Sequence, residues 1–336
     1  MKFPAFVLCA FFAAFGSPSE LSAETTILRL ASNVPAGSPW DIGLRRLAAE
    51  FEQVSGGRVK VVFPQSAHVA TESDIIQKMR FGVDGALLTT YGLAELYPDS
   101  LALSLPNLIR SDAEFDAVLE AVVPLIKSKL EDRYVLLGIS RGGWIRYFSR
   151  SPILYPSDLA KLRISLMGDD GNIIALMQSA GARPIIGTTT DFLLQFNSNA
   201  ADATLTSPIY IASLWSQLRG KISYMSPFKV APFVGALVIN KSAWERIPAE
   251  LRPAIEKVVI DTSKRTSIDS AQLEAEAIAA LDGIKVPAEP ADATGKWADL
   301  SEEWRKGPVE RMFSPDILGS IYKALAKARG PLSAAR

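Results

Sequence analysis

The sequence predicts an α/β protein of two domains braced by one long helix. Three observations carry this prediction. Strand-like and helix-like segments alternate from Thr26 onward. A chain of 336 residues is too long for one comfortable core. A helical stretch begins at Pro248 and continues to about Leu281, with no Gly or Pro between Pro253 and Gly283. That length is unusual for a globular helix and makes sense if the helix touches both domains.

Taken in order, Thr26 to Ser32 alternates and is β-rich. Ser38 is an N-cap signal, with Pro39 at N1 and Asp41 at N3, and opens a helix running to about Val54. Ser55-Gly56-Gly57 ends it, and Arg58 to Phe63 is the next strand. Thr71 opens a second helix with Asp74 at N3. Ala86 to Thr90 reads as a strand buried on both faces. This β-α-β-α-β order predicts a parallel sheet with right-handed crossovers. Ser111 and Glu114 form a capping box for a helix reaching about Glu131. Tyr134 to Ser140 is a strand that Arg141-Gly142-Gly143 breaks, and the first domain crossing is placed there.

The second half repeats the style. Tyr155 to Asp170 reads as a turn, a short helical turn, a strand over Leu162 to Leu166 and a Gly-Asp-Asp break before a helix over Asn172 to Ala180. A strand ending at a helix mouth is where α/β proteins place ligand-binding groups. Pro184 to Ile186 is a strand, Asp191 to Asn197 a helix, Ala201 to Leu205 a strand, and Ile209 to Leu218 a helix. Val234 to Asn240 is an apolar strand that returns to the first domain. Trp297, Leu300 and Trp304 share one face of a later helix, and the last residues from Gly330 look frayed.

Lys+Arg and Asp+Glu are both 36, so the net charge is zero and neither nucleic acid nor an anionic membrane is the expected partner. Lys2, the apolar run Phe3 to Gly16 and Leu21-Ser22-Ala23 have the form of an export signal cleaved after Ala23. Cys9 is the only cysteine, so a chain cut there carries none, which suits an exported bacterial protein folding on its core alone. No later apolar run is long enough to cross a membrane.

Little points to catalysis. His68 is a lone loop histidine without a nucleophile motif around it, and no Walker loop, HExxH, CxxC or GxSxG occurs. Asp169-Asp170 reads as charge at a helix N-terminus rather than a metal site. No enzyme activity, cofactor or metal is expected. Arg146, between Trp144 and Tyr147, is the candidate of interest. A guanidinium in an aromatic setting can be held rigid and grip a carboxylate with two hydrogen bonds. The alternative is a structural arginine packed on aromatics or paired with an acid.

Several segments together carry a resemblance: LRLASNVPAGSPWDIG, SGGRVKVVF, GVDGALLTT, LALSLPNLIRS, PSDLAKLRISL and VGALVINKSAW followed by IPAELRPAI. In this order and spacing the chain resembles the solute-receptor subunits of TRAP (tripartite ATP-independent periplasmic) transporters, the DctP-like family. The resemblance implies two α/β domains with a cleft, a long helix touching both, and closure on a small solute, usually an organic acid. It also implies a periplasmic receptor that delivers its solute to TRAP membrane subunits; a monomer is expected. The same fold could instead serve a sensor or signalling partner. The expected division is 1–23 signal peptide, 24–143 with 232–265 as domain I, and 144–231 with 266–336 as domain II.

Two departures from the family pattern stand out. Where the motif Ser157 to Ser165 usually ends in an arginine that pairs with the solute carboxylate, this chain has Ser165. Arg163 does not replace it, since alternate strand residues lie roughly 6–7 Å apart, and it reads as a surface residue. Arg146 matches a second family arginine. Asp202 to Pro208 replaces a run that usually carries Glu or Asn toward the ligand, offering Thr204, Leu205, Thr206 and Ser207 instead. Three outcomes stay open. Arg146 alone holds an acid while Ser165 donates a hydrogen bond; the ligand is neutral or apolar in a cleft lined by Trp40, Tyr91, Trp144, Phe148, Leu205 and Phe233; or solute transport has been lost and another periplasmic role kept.

Overall fold

The computed structural model describes residues 25–64, 71–160, 162–167 and 171–330. The expected export signal, His68, Asp169-Asp170 and residues 331–336 lie outside the described residues.

The opening run is β1 (Thr26–Ala31), α1 (Pro39–Val54), β2 (Val59–Val62), α2 (Glu72–Met79) and β3 (Gly85–Thr89). The expected caps form: Ser38 Oγ accepts from the Asp41 backbone N–H, and the Thr71 hydroxyl from that of Asp74. α3 (Thr90–Leu96) and a 3₁₀ turn, Pro98–Ser104, follow. α4 (Asp112–Leu130) starts at Ser111, whose hydroxyl accepts from Glu114 N–H. Next come β4 (Tyr134–Ser149), β5 (Arg163–Met167), α5 (Gly171–Ser179), β6 (Arg183–Gly187), α6 (Thr189–Asn197) and β7 (Ala203–Thr206). The helix expected over Ile209 to Leu218 divides at Leu214 into α7 (Pro208–Ser213) and α8 (Trp215–Leu218). β8 (Tyr224–Met225), β9 (Ala231–Asn240), α9 (Lys241–Arg246), α10 (Arg252–Ala280), α11 (Ala293–Trp304), α12 (Glu310–Met312) and α13 (Pro315–Arg329) complete the described chain.

The sheet runs β2-β1-β3-β9-β4-β7-β5-β6, with β8 on β4. The expectation of a parallel sheet is met at its two ends, where β1 pairs in parallel with β2 and β3, and β5 with β6 and β7. It fails in the middle. β9 is antiparallel to both β3 and β4, and β4 is antiparallel to β7. The cause is that β4 and β9 run through the middle of the sheet in opposite directions and join its two ends, instead of returning through crossover helices.

Gly142-Gly143 does not end β4, as the sequence suggested. The strand continues to Ser149, and its register against β9 shifts between Arg141 and Trp144. Gly143 takes φ +121, which L side chains rarely adopt, and absorbs the irregularity as a bulge. A Cβ on Gly142 would sit 2.8 Å from Trp40 Nε1 and 3.1 Å from the Phe233 ring. The glycine pair thus bends the strand and admits an indole, two tasks that in sequence look like a break.

α10 spans 29 residues and lies along β4. Val259 and Ser263 face Gly138, Ser267 and Ser270 bond Arg141, and Glu274 bonds Trp144 and Arg146. Fifteen helical residues rise about 22 Å, and the eight strand steps from Gly138 to Arg146 cover about 26 Å. The two elements keep pace, which lets one helix follow the central strand and touch both α1 and α7. On the far ends, Leu44, Phe51, Trp244 and Ile255 form a core under α1 and α9, and Phe148, Phe192, Phe196 and Trp215 form another under α6 to α8.

Candidate functional site

β4 places two arginines along the middle of the sheet. Arg141 is buried. Its Nη1 donates to Ser270 Oγ at 2.9 Å, and its Nη2 donates to Ser267 O and pairs with Asp112 Oδ2, both at 2.9 Å. Arg146 donates from Nε to Glu274 Oε1 at 3.2 Å, and from Nη1 to Ser226 O at 3.3 Å and Pro227 O at 2.8 Å. The Arg146 and Glu274 side chains are only 12% and 7% exposed. The second Glu274 oxygen accepts the Trp144 backbone N–H at 2.9 Å. A buried carboxylate so placed neutralises the guanidinium and ties α10 to the strand.

Arg146 sits in register with Thr206 and Phe148 with Thr204; Thr204 is in turn in register with Ser165 on β5. By strand alternation Arg146, Thr206, Thr204 and Ser165 share one face. Ser165 is 1% exposed, and Thr204 Oγ1 donates to its carbonyl at 2.9 Å. Ser207 caps α7 through the Tyr210 N–H. Leu205, paired with Tyr147, points to the opposite face and packs against the large core. Arg163 grips Asp202 with two nitrogens, Nε at 2.8 Å and Nη2 at 2.6 Å, and remains partly exposed. This pair holds the Asp202 carboxyl below its usual range.

The aromatic candidates separate. Trp40 and Phe233 meet with ring centroids 5.0 Å apart, and Trp40 Nε1 donates to Gly142 O at 3.2 Å. Trp144 is 1% exposed; its indole N–H bonds Asp112 at 3.0 Å, with Arg141 and Lys229 against its ring. Phe148 is buried with Phe192 and Phe196. Tyr91 is half-buried against the core around α2 to α4.

Trp40 and Phe233 wall a pocket of about 100 Å³ among α1, β3, β4, β9 and α10. Leu44, Leu87, Val234 and Val259 give it an apolar lining, with Thr89, Ser140 and Thr262 as polar points. Its one charged lining residue is Glu72, and no Lys or Arg lines it among the described residues. The Glu72 carboxylate accepts from Thr89 N–H, the Thr89 hydroxyl and Gly92 N–H at 2.7–2.8 Å. Burial outweighs these bonds and raises its pKa above the ordinary value. Neither Glu72 nor Glu274 was singled out from sequence. Glu72 is hidden as a first-turn acid, a common helix feature, and Glu274 acts on residues 128 and 130 positions away.

Among the described residues no cluster of metal-ligating side chains occurs, and no helix is long and apolar enough to cross a membrane. Three kinds of likeness bear on identity. A protein of Salmonella typhimurium named YiiZ is 27% identical over 190 residues, which is 55% of this chain; the match spans 58% of that relative's length. The TRAP periplasmic solute-binding protein of Ralstonia eutropha H16, solved with (S)-2-acetolactate, superposes with TM-score 0.80 at 18% identity over 90% of this chain and 99% of that one. The sugar-acid-binding protein DctPAm of Advenella mimigardefordensis, solved with galactonate, gives TM-score 0.81 at 16% identity over 91% and 99%. The profile of bacterial extracellular solute-binding protein, family 7 (DctP), matches residues 30–306, and the chain belongs to that family.

Proposed function

We propose that the protein is the periplasmic solute receptor of a TRAP transporter and that its solute is uncharged and largely apolar. The observation that carries the ligand class is the pairing of Arg146 with Glu274. The family's other arginine position holds Ser165, small and buried. The pocket beside Trp40 and Phe233 has a carboxylate and no cation in its lining. A carboxylate entering here would meet no unneutralised positive charge to offset its desolvation. An uncharged solute gains from the apolar walls and the aromatic pair.

Capture proceeds by hinge closure. The division 24–143 with 232–265 against 144–231 with 266–336 puts the hinge at Gly142-Gly143 and Ala231-Pro232, with α10 bending around Asp261 to Ser267. The register shift in β4 and the helix that follows the strand along its length support this reading. The closed receptor, a monomer exported by its cleaved signal, hands the solute to the membrane subunits. It performs no chemical step.

A second reading is favoured by the acids bound in the two solved relatives: an organic acid displaces Glu274 and takes Arg146. A thermal-shift screen of the chain from Glu24 onward separates the two. Small organic acids are compared with neutral and apolar analogues, with Arg146→Ala in parallel. A ligand at 100 times its dissociation constant adds about 2.7 kcal/mol. The proposal expects stabilisation by uncharged compounds in both proteins. Stabilisation by acids in wild type alone assigns the cleft to Arg146 and an anion. No response from any small solute would remove the receptor reading.

A further inference from the structure

A second recess, of about 180 Å³, lies between the loop before α4 and the C-terminal helices, and shares no lining residue with the pocket at Trp40. Leu105, Leu108, Trp304 and Val309 supply apolar wall. Its charged lining is Arg110, Arg305 and Arg329 against the single carboxylate Glu302. Arg305 and Lys306 already pair with Glu302, and Glu114, just outside, pairs with Arg329.

Two donors at this recess are unsatisfied. Asn107 Nδ2 and the Tyr322 hydroxyl are buried and have no hydrogen-bond partner among the described residues. Asn107 is only 7% exposed. Its left-handed backbone (φ 59) and its N–H bond to Val230 O at 2.6 Å hold it in place. Arg110 Nε donates to the Asn107 carbonyl at 3.1 Å, which sets the guanidinium beside the amide. Burial and the charge of Arg329 lower the pKa of Arg110 from its usual value. Donors without acceptors and cations in excess call for the same guest.

We propose that this recess binds a small oxyanion, a carboxylate or a phosphate, through Arg110, Asn107 and Tyr322. The site also joins separate parts of the fold. Asn107 is tied to the entry of β9 through Val230, and Trp304 is tied to α5 by its indole N–H on Ser179 Oγ at 2.9 Å. Between Trp304 and α13 the chain makes a π-helical turn, Arg305–Val309, an irregularity common at functional positions. The proposal is independent of what the Trp40 pocket takes.

The test is a titration of the ¹⁵N-labelled protein with inorganic phosphate and, separately, acetate, followed by NMR. The expected result is a saturable shift of the Asn107 side-chain amide and the Trp304 indole with at least one anion, with a midpoint separate from any shift of the Trp40 and Trp144 indoles. Arg110→Gln weakens binding about tenfold or more. Asn107→Gly tolerates the positive φ, and Tyr322→Phe removes a hydroxyl with no internal partner. Both fold normally and also weaken binding. Absence of any saturable shift at the Asn107 amide and the Trp304 indole, or affinity at these two signals unchanged in all three variants, overturns the proposal.

Discussion

At the scale of single residues, the ligand class turns on which charges are already paired. Glu274→Ala leaves Arg146 buried without its anion and takes an acceptor from Trp144, so it should cost about 3–5 kcal/mol in urea unfolding. Replacing both partners with Met and Leu should cost clearly less, and equal losses would mean that the pair is not coupled. Ser165→Arg returns a cation to the face shared by Arg146, Thr206 and Thr204. The expected outcome is a thermal-shift response to organic acids that wild type lacks. Glu72 gives a pH signature. In the unfolded chain it ionises near the ordinary glutamate value of 4.5, and burial keeps it protonated to higher pH in the fold. Its contribution is therefore present below pH 4.5 and is lost as pH rises through the raised pKa. Melting temperature against pH for wild type and Glu72→Gln checks this, and the variant should lose that slope. Of these residues, Arg146 and Ser165 were visible in the sequence because motifs frame them. Glu274 was not, because an acid amid a charged helix carries no local sign of a partner on a distant strand.

At the scale of elements, the strands and helices opened by polar caps were readable: Ser38, Thr71 and Ser111 each start the helix that their spacing predicts. α3, α9, α12, α13 and the short strand β8 went unread, the first because it follows β3 without any intervening loop residue. The Gly-Gly bulge in β4 was misread for a physical reason. Glycine at a turn and glycine at a close approach look alike until the partner is known, and here the partner is the Trp40 indole. Gly142→Ala should force Trp40 and Phe233 aside at a cost of about 1–3 kcal/mol. Denaturant unfolding and tryptophan fluorescence should both change; unchanged emission and stability would show that the close approach is easily relaxed.

At the scale of the molecule, two strands and one helix do the joining. β4 and β9 pass through the centre of the sheet, and α10 follows β4 residue by residue through Ser267, Ser270 and Glu274. The long uninterrupted helix was legible from its lack of Gly and Pro. The antiparallel centre was not, since direction depends on how β9 returns between β3 and β4. This arrangement supports the central claim, that the two domains close on a solute while α10 and the crossing strands flex. Small-angle scattering during titration with a stabilising compound from the thermal-shift panel tests it most directly. The account predicts a saturable fall in the radius of gyration that tracks occupancy. A radius unchanged at saturation would contradict it.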